Sequence, residues 1–146
     1  MLRIFWAMVC LGIACIPLYA DSISVSGDPG TLVINMAAAG SEPTAVTDAT
    51  TTYTVETIPA LRRITGELSS AMPANTELKI TLQPPTGATG WGTVSLNSSA
   101  RVLVSNIPHH TTQGGLGITY EFSATVDAGV ISSMSRTVTL TLIDQF

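Results

Sequence analysis

Apolar and small polar residues alternate along most of this chain, most clearly in "GLGITYEFSATVDAGVISSMSRTVTLTL", residues 115–142. Ile118, Tyr120, Phe122, Ala124 and Val126 fall on one side of an extended backbone, and Thr119, Glu121, Ser123, Thr125 and Asp127 on the other. The partner segment sets Val138, Leu140 and Leu142 against Thr137, Thr139 and Thr141. Successive side chains of a strand point to opposite faces, so one apolar and one wet face predict an antiparallel sheet covered on one side. Threonine suits the wet face because β-branched side chains fit a half-buried pleated surface. The connector "DAGVISSMS" (127–135) is long for a hairpin, and reads either as a flexible tip or as a crossing between sheets.

The same pattern predicts strands near 31–37, 52–57, 62–68 and 76–82, then near 92–96, 100–106, 117–126 and 135–143. Turn-rich stretches separate them: "SGDPG" (26–30), "AMPAN" (71–75), "QPPTGATGWG" (83–92) and "NIPHHTTQGG" (106–115). Short strands punctuated this way predict an all-β fold, an antiparallel sandwich of roughly seven to nine strands. The nearest helical candidate, "PALRRITGELSSAM" (59–72), is weakened by Gly66 beside β-branched Ile64 and Thr65.

Residues 1–20 break the pattern. Arg3, an apolar run from Ile4 to Ile16, Pro17 and the small Ala20 read as a cleaved export signal, too short for a membrane span. The alternative is lipidation at Cys15 after "LGIA", although Gly12 stands where such signals carry an aliphatic residue. Membrane contact is therefore expected only during export or through that lipid. Cys10 and Cys15 both lie in the leader, so the mature domain has neither a disulfide framework nor thiolate chemistry. The expected organisation is a leader over 1–20, an N-terminal strand with a small-residue linker over 21–51, and the rest of one domain over 52–146.

The formal net charge is −4, and without Arg3 five cations face ten carboxylates, a charge of −5. Such a surface suits neither nucleic acid nor anionic lipid, which require basic patches. The mature aromatics, Tyr53, Trp91, Tyr120, Phe122 and Phe146, are too few for the girdles of a membrane-spanning barrel.

No catalytic constellation is legible. His109 and His110 are adjacent in "IPHHTTQ", where extended backbone would point them apart, so they read as exposed loop residues open to a binding role rather than as metal ligands. The sequence has no G-x-S-x-G elbow and no acidic calcium loop, and the carboxylates are scattered. Neither a cofactor nor a metal is expected. Trp91, between Gly90 and Gly92, is either an exposed anchor for a sugar ring or protein partner, or a packed cap with its N–H wet. Leu32, Ile34 and Met36 share one face of "TLVINMA", followed by the low-complexity "AAGSEPTAVTDATT" (38–51). A strand tethered so loosely either opens its own sheet or is donated to a neighbour's.

The "ITYEFSATVDAG…SRTVTLTL" segment resembles the last two strands of immunoglobulin-like and fibronectin type III modules of bacterial surface proteins. The paired cysteines and core tryptophan of immunoglobulin domains are missing. The exported, acidic, Thr/Ser-rich and cysteine-free character is also similar to surface-fibre subunits. These likenesses imply an immunoglobulin-like sandwich that is secreted, periplasmic or on the cell surface. The expected function is a non-catalytic structural or interaction protein, a fibre or envelope subunit that self-associates or meets other surface proteins. The alternative is a carbohydrate- or protein-binding module using Trp91 and the 106–115 loop, with a glycan among its partners.

Overall fold

The structure is a computed structural model that describes residues 20–58 and 61–146. The expected leader, apart from Ala20, and with it the lipidation site at Cys15, lies outside the described residues. Nine strands follow in chain order: β1 (Ser22–Ser26), β2 (Val46–Glu56), β3 (Arg62–Leu68), β4 (Thr76–Leu82), β5 (Thr89–Gly90), β6 (Thr93–Ser95), β7 (Arg101–Ile107), β8 (Thr112–Ala124) and β9 (Val138–Asp144). They form two antiparallel sheets, β1-β2-β8-β4-β6 and β5-β7-β3-β9, facing each other across one core. A single 3-10 turn, Val126–Ala128, is the only helix among the described residues.

Strand periodicity fills that core. β4 contributes Leu78, Ile80 and Leu82, β8 contributes Leu116, Ile118 and Tyr120, and β2 contributes Tyr53 and Val55. Ile64, Leu68, Leu103, Val104 and Ile107 answer from the other sheet. Burial of such aliphatic side chains stabilises by about 1.5–3 kcal/mol each, and described residues that include no cysteine, and so no disulfide, depend on it. Tyr53 is wholly buried and donates its hydroxyl proton to the Gln83 carbonyl oxygen at 2.6 Å, so its polar end is satisfied. At Gly66 an added Cβ would lie 2.7 Å from Leu103 Cδ1 and 3.4 Å from both Leu96 and Leu140. The glycine that argues against a helix is thus the notch that receives Leu103.

Four expectations need correction. The 115–142 segment does not form one strand pair: β8 belongs to the five-stranded sheet and β9 pairs with β3 in the other. Of the two readings of its connector, the crossing between sheets is the one adopted. Residues 31–37 form no strand, because the place beside β2 is taken by β1, in register from Ser22↔Glu56 to Ser26↔Thr52. The supposed linker 38–51 is strand from Val46 onward, its threonines extending β2 through an irregularity between Asp48 and Thr51. Finally, the histidines do not point apart. His110 turns the chain with φ +54°, and the two rings meet edge to face at 5.2 Å.

Candidate functional site

Two surface features stand out, at different places on the sandwich. The first follows from strand length. β2 and β8 have 11 and 13 residues, while the facing β3 and β9 have 7 each. At about 3.4 Å per residue the long pair overruns the opposite sheet by roughly 14–20 Å. Phe122 and Ala124, at the end of β8, therefore lack a facing strand. They line an open groove of about 720 Å³ together with 31–37 and the crossing segment 129–134. Large apolar side chains stand exposed along it: Val33, Met36 (70% exposed), Val126, Val130 (fully exposed) and Met134. Among the described residues the backbone of 31–35 makes no hydrogen bond, although Leu32 and Ile34 are half-buried and alternate with exposed neighbours.

Polar contacts hold the rims of this groove. Glu42 accepts the Val126 N–H at 2.7 Å, which ties the two segments to each other. Asp48 accepts N–H bonds from Thr50 at 3.0 Å and from Gly30 at 3.2 Å, and the Thr50 hydroxyl at 2.8 Å. Those donors, the Thr50 backbone first, hold the Asp48 carboxyl below its ordinary pKa.

The second feature is the corner at Trp91. β5 and β6 are the outer strands of opposite sheets, and Trp91–Gly92 is the step between them. Gly92 makes the turn with φ +67°, and a Cβ on Gly90 would press to 3.2 Å from the Pro84 ring. The Trp91 N–H donates to the Leu103 carbonyl at 3.0 Å, and its indole Nε1–H donates to the Ser105 hydroxyl at 3.0 Å. Ser105 is buried, yet Trp91 is 60% exposed. The polar end of the indole is thus held inward and its apolar ring faces out. Beside it lies a shallow basin of about 600 Å³ that Thr93, Ser95 and Arg101 also line.

His109 and His110 stand exposed at the β7–β8 turn and do not line that basin, while the rest of the 106–115 loop meets the loop before Trp91: Asn106 Nδ2 donates to the Thr89 hydroxyl at 3.3 Å and the Thr86 N–H to Gln113 Oε1 at 2.9 Å. Among the described residues no three His, Cys, Asp or Glu side chains cluster as metal ligands. No described helix is long and apolar enough to cross a membrane.

Sequence reasoning missed Val33, Val126, Val130 and Met134 on the groove. The signal available was a run of exposed-looking apolar residues, "GVISSM", inside a polar connector. It also missed a clasp at the opposite ends of the chain order. The Asp21 carboxylate accepts the Ile58 N–H at 2.8 Å and pairs with Arg62, whose guanidinium also pairs with Asp144. That clasp joins the segment before β1 to the start of β3 and the end of β9.

The comparisons add no relative: no protein-family model, no curated protein and no solved structure matches this chain.

Proposed function

We propose that this chain is an exported, non-catalytic structural module, a subunit of a cell-surface fibre or envelope layer that associates through the open end of its sandwich. The observation that carries this reading is the groove between 31–37 and 129–134, where Val33, Met36, Val126, Val130 and Met134 are exposed together. A single exposed apolar residue is ordinary on a soluble protein, whereas a contiguous lined patch marks an interaction surface. The unladdered backbone of 31–35 beside it offers free donors and acceptors to an added strand.

An immunoglobulin-like topology is part of the same reading. In that fold the second strand pairs with the fifth in one sheet, and the third with the sixth in the other. The β3–β7 and β4–β8 pairs match those pairings, with β9 flanking β3 and β2 flanking β8. The first and last strands would then have exchanged places relative to an immunoglobulin domain.

Size-exclusion chromatography with light scattering over a hundredfold dilution series tests the assignment. The purified protein is expected to assemble, and a Val33→Asp, Val130→Asp double variant to run as a monomer with an unchanged circular dichroism spectrum. A wild-type monomer at every concentration would overturn self-association.

A further inference from the structure

We infer that the basin beside Trp91 is a saccharide-binding site, with the indole as stacking platform and Arg101 as the partner for a carboxylate on the sugar. This inference is independent of the groove, which involves other residues.

The first argument is presentation. An exposed tryptophan normally leaves its ring free to move. Here the Nε1–H bond to the buried Ser105 hydroxyl, the backbone bond to Leu103 and the glycine corner fix the ring while leaving it 60% exposed. A rigid aromatic with only two side-chain torsions gives up little entropy on binding, so it is an efficient contact. The C–H faces of a pyranose are flat and apolar while its edge carries hydroxyls, which matches a ring face bordered by Thr93 and Ser95. A basin of about 600 Å³ also lies in the size range of small-ligand sites.

The second argument is charge. Lys79 is held by Glu77 at 3.3 Å and Glu121 at 3.4 Å, and Arg62 by Asp21 and Asp144. Arg136 donates to the Ala71 carbonyl at 3.1 and 3.2 Å. Arg101 is exposed and lines the basin, and its side chain makes no ion pair or hydrogen bond among the described residues; the Arg63 side chain also has no such partner there, but its Nε is buried and it does not line the basin. A guanidinium fork matches a carboxylate with two parallel hydrogen bonds. Glu77, whose carboxyl Ser95 at the rim holds below its ordinary pKa, pairs with Lys79 at 3.3 Å, which offsets that charge. The net charge of −4 disfavours a dense polyanion, so the fitting ligand carries widely spaced carboxylates.

Isothermal titration with two hexasaccharides separates the parts of this assignment. Hyaluronan hexasaccharide carries a carboxylate on alternate rings; chitohexaose shares its N-acetylglucosamine rings and is neutral. Hyaluronan hexasaccharide is expected to bind at least about tenfold more tightly than chitohexaose. Arg101→Gln should remove that preference and leave chitohexaose affinity unchanged. Trp91→Ala should weaken both sugars by about tenfold or more, as loss of an aromatic anchor does. Should Trp91→Ala fail to fold by circular dichroism, Trp91→Phe decides, because it keeps a stacking face and loses only the Ser105 bond. It should retain hyaluronan binding within about fivefold of the wild type.

Absence of hyaluronan binding at millimolar sugar overturns the proposal, as does binding that Trp91→Ala leaves unchanged or, where that variant does not fold, a loss well beyond about fivefold on Trp91→Phe. Equal affinity for both sugars overturns the role of Arg101. Equal competition by a hexaglutamate peptide, with the same Trp91 and Arg101 dependence, overturns the saccharide in favour of an acidic protein segment.

Discussion

"TLVINMA" (31–37) and "TELKITL" (76–82) carry nearly the same alternation of apolar and polar residues, yet only the second is a strand. In β4, Leu78, Ile80 and Leu82 are buried between the sheets, with β8 bonded along one edge and β6 along the other. In 31–37, Leu32 and Ile34 are only half-buried and Met36 is exposed. Alternation prepares a segment to lie on a core, but a strand also needs an edge to take its backbone hydrogen bonds. β4 finds two edges, whereas the edge of β2 that 31–37 could have used is already filled by β1.

The sharpest way to break this comparison is to truncate both isoleucines. Ile80→Ala empties a fully buried site and should cost about 2–5 kcal/mol in urea unfolding. Ile34→Ala should cost less than about 1 kcal/mol, since its side chain is only partly removed from water. Amide exchange should agree, with slow Ile80 and fast Val33. Equal costs for the two substitutions would mean that 31–37 is paired and packed in solution as β4 is.

A second, smaller effect contrasts added volume at the two places. Gly66→Ala drives a methyl to within 2.7 Å of Leu103 Cδ1 and should cost about 1–3 kcal/mol, the usual range for overpacking. Ala37→Val adds more volume on the exposed rim of the groove, and should stay within about 0.5 kcal/mol of the wild type. A tolerated Gly66→Ala would mean that β3 shifts to make room and that the core is looser than its packing indicates.

What the sequence made legible follows the same division. β3 and β4 fall on the expected residues 62–68 and 76–82: β4 has a clean alternation, β3 has β-branched Ile64 and Thr65 beside Gly66 against a helix, and the flanking turns carry Pro, Asn and Ser. β1 escaped notice because "SISVS" offers only Ile23 and Val25. The first half of β2 was hidden by its threonines, Asp48 and Ala49, and the start of β8 by Gly114 and Gly115. The assignment of β9 to the other sheet was not legible, since periodicity says which face a residue takes and nothing of its neighbour strand. The groove depends on that assignment and was hidden with it. Trp91 stood out in the sequence as a lone aromatic between glycines. Its Ser105 partner, 14 residues on, is set by the pairing of β5 with β7.

The smallest predicted effect concerns how 31–37 is tied down at all. Asp48 bonds the Gly30 N–H on one side and Thr50 on the other, so its carboxylate fastens the chain entering 31–37 to the start of β2. Those hydrogen bonds lower its pKa in the folded protein, led by the Thr50 backbone donor. An unfolded aspartate titrates near about 3.9, so the fold binds this proton less readily than the unfolded chain does. Its contribution to stability is therefore fully present above that value and is lost as pH falls through the lower folded value. Glu77, lowered mainly by its Ser95 bond, acts in the same direction on β4 and is untouched by substitution at Asp48. Urea midpoints of the wild type and Asp48→Asn should differ by a constant amount from pH 7 to 5 and converge below about pH 4. Amide exchange at Gly30 and Thr50, the N–H groups that Asp48 accepts, should quicken in Asp48→Asn while 76–82 is unchanged. A gap that widens toward pH 3 would reverse the sign of the linkage, and equal quickening in β4 would mean that the two segments share one cooperative unit despite their different edges.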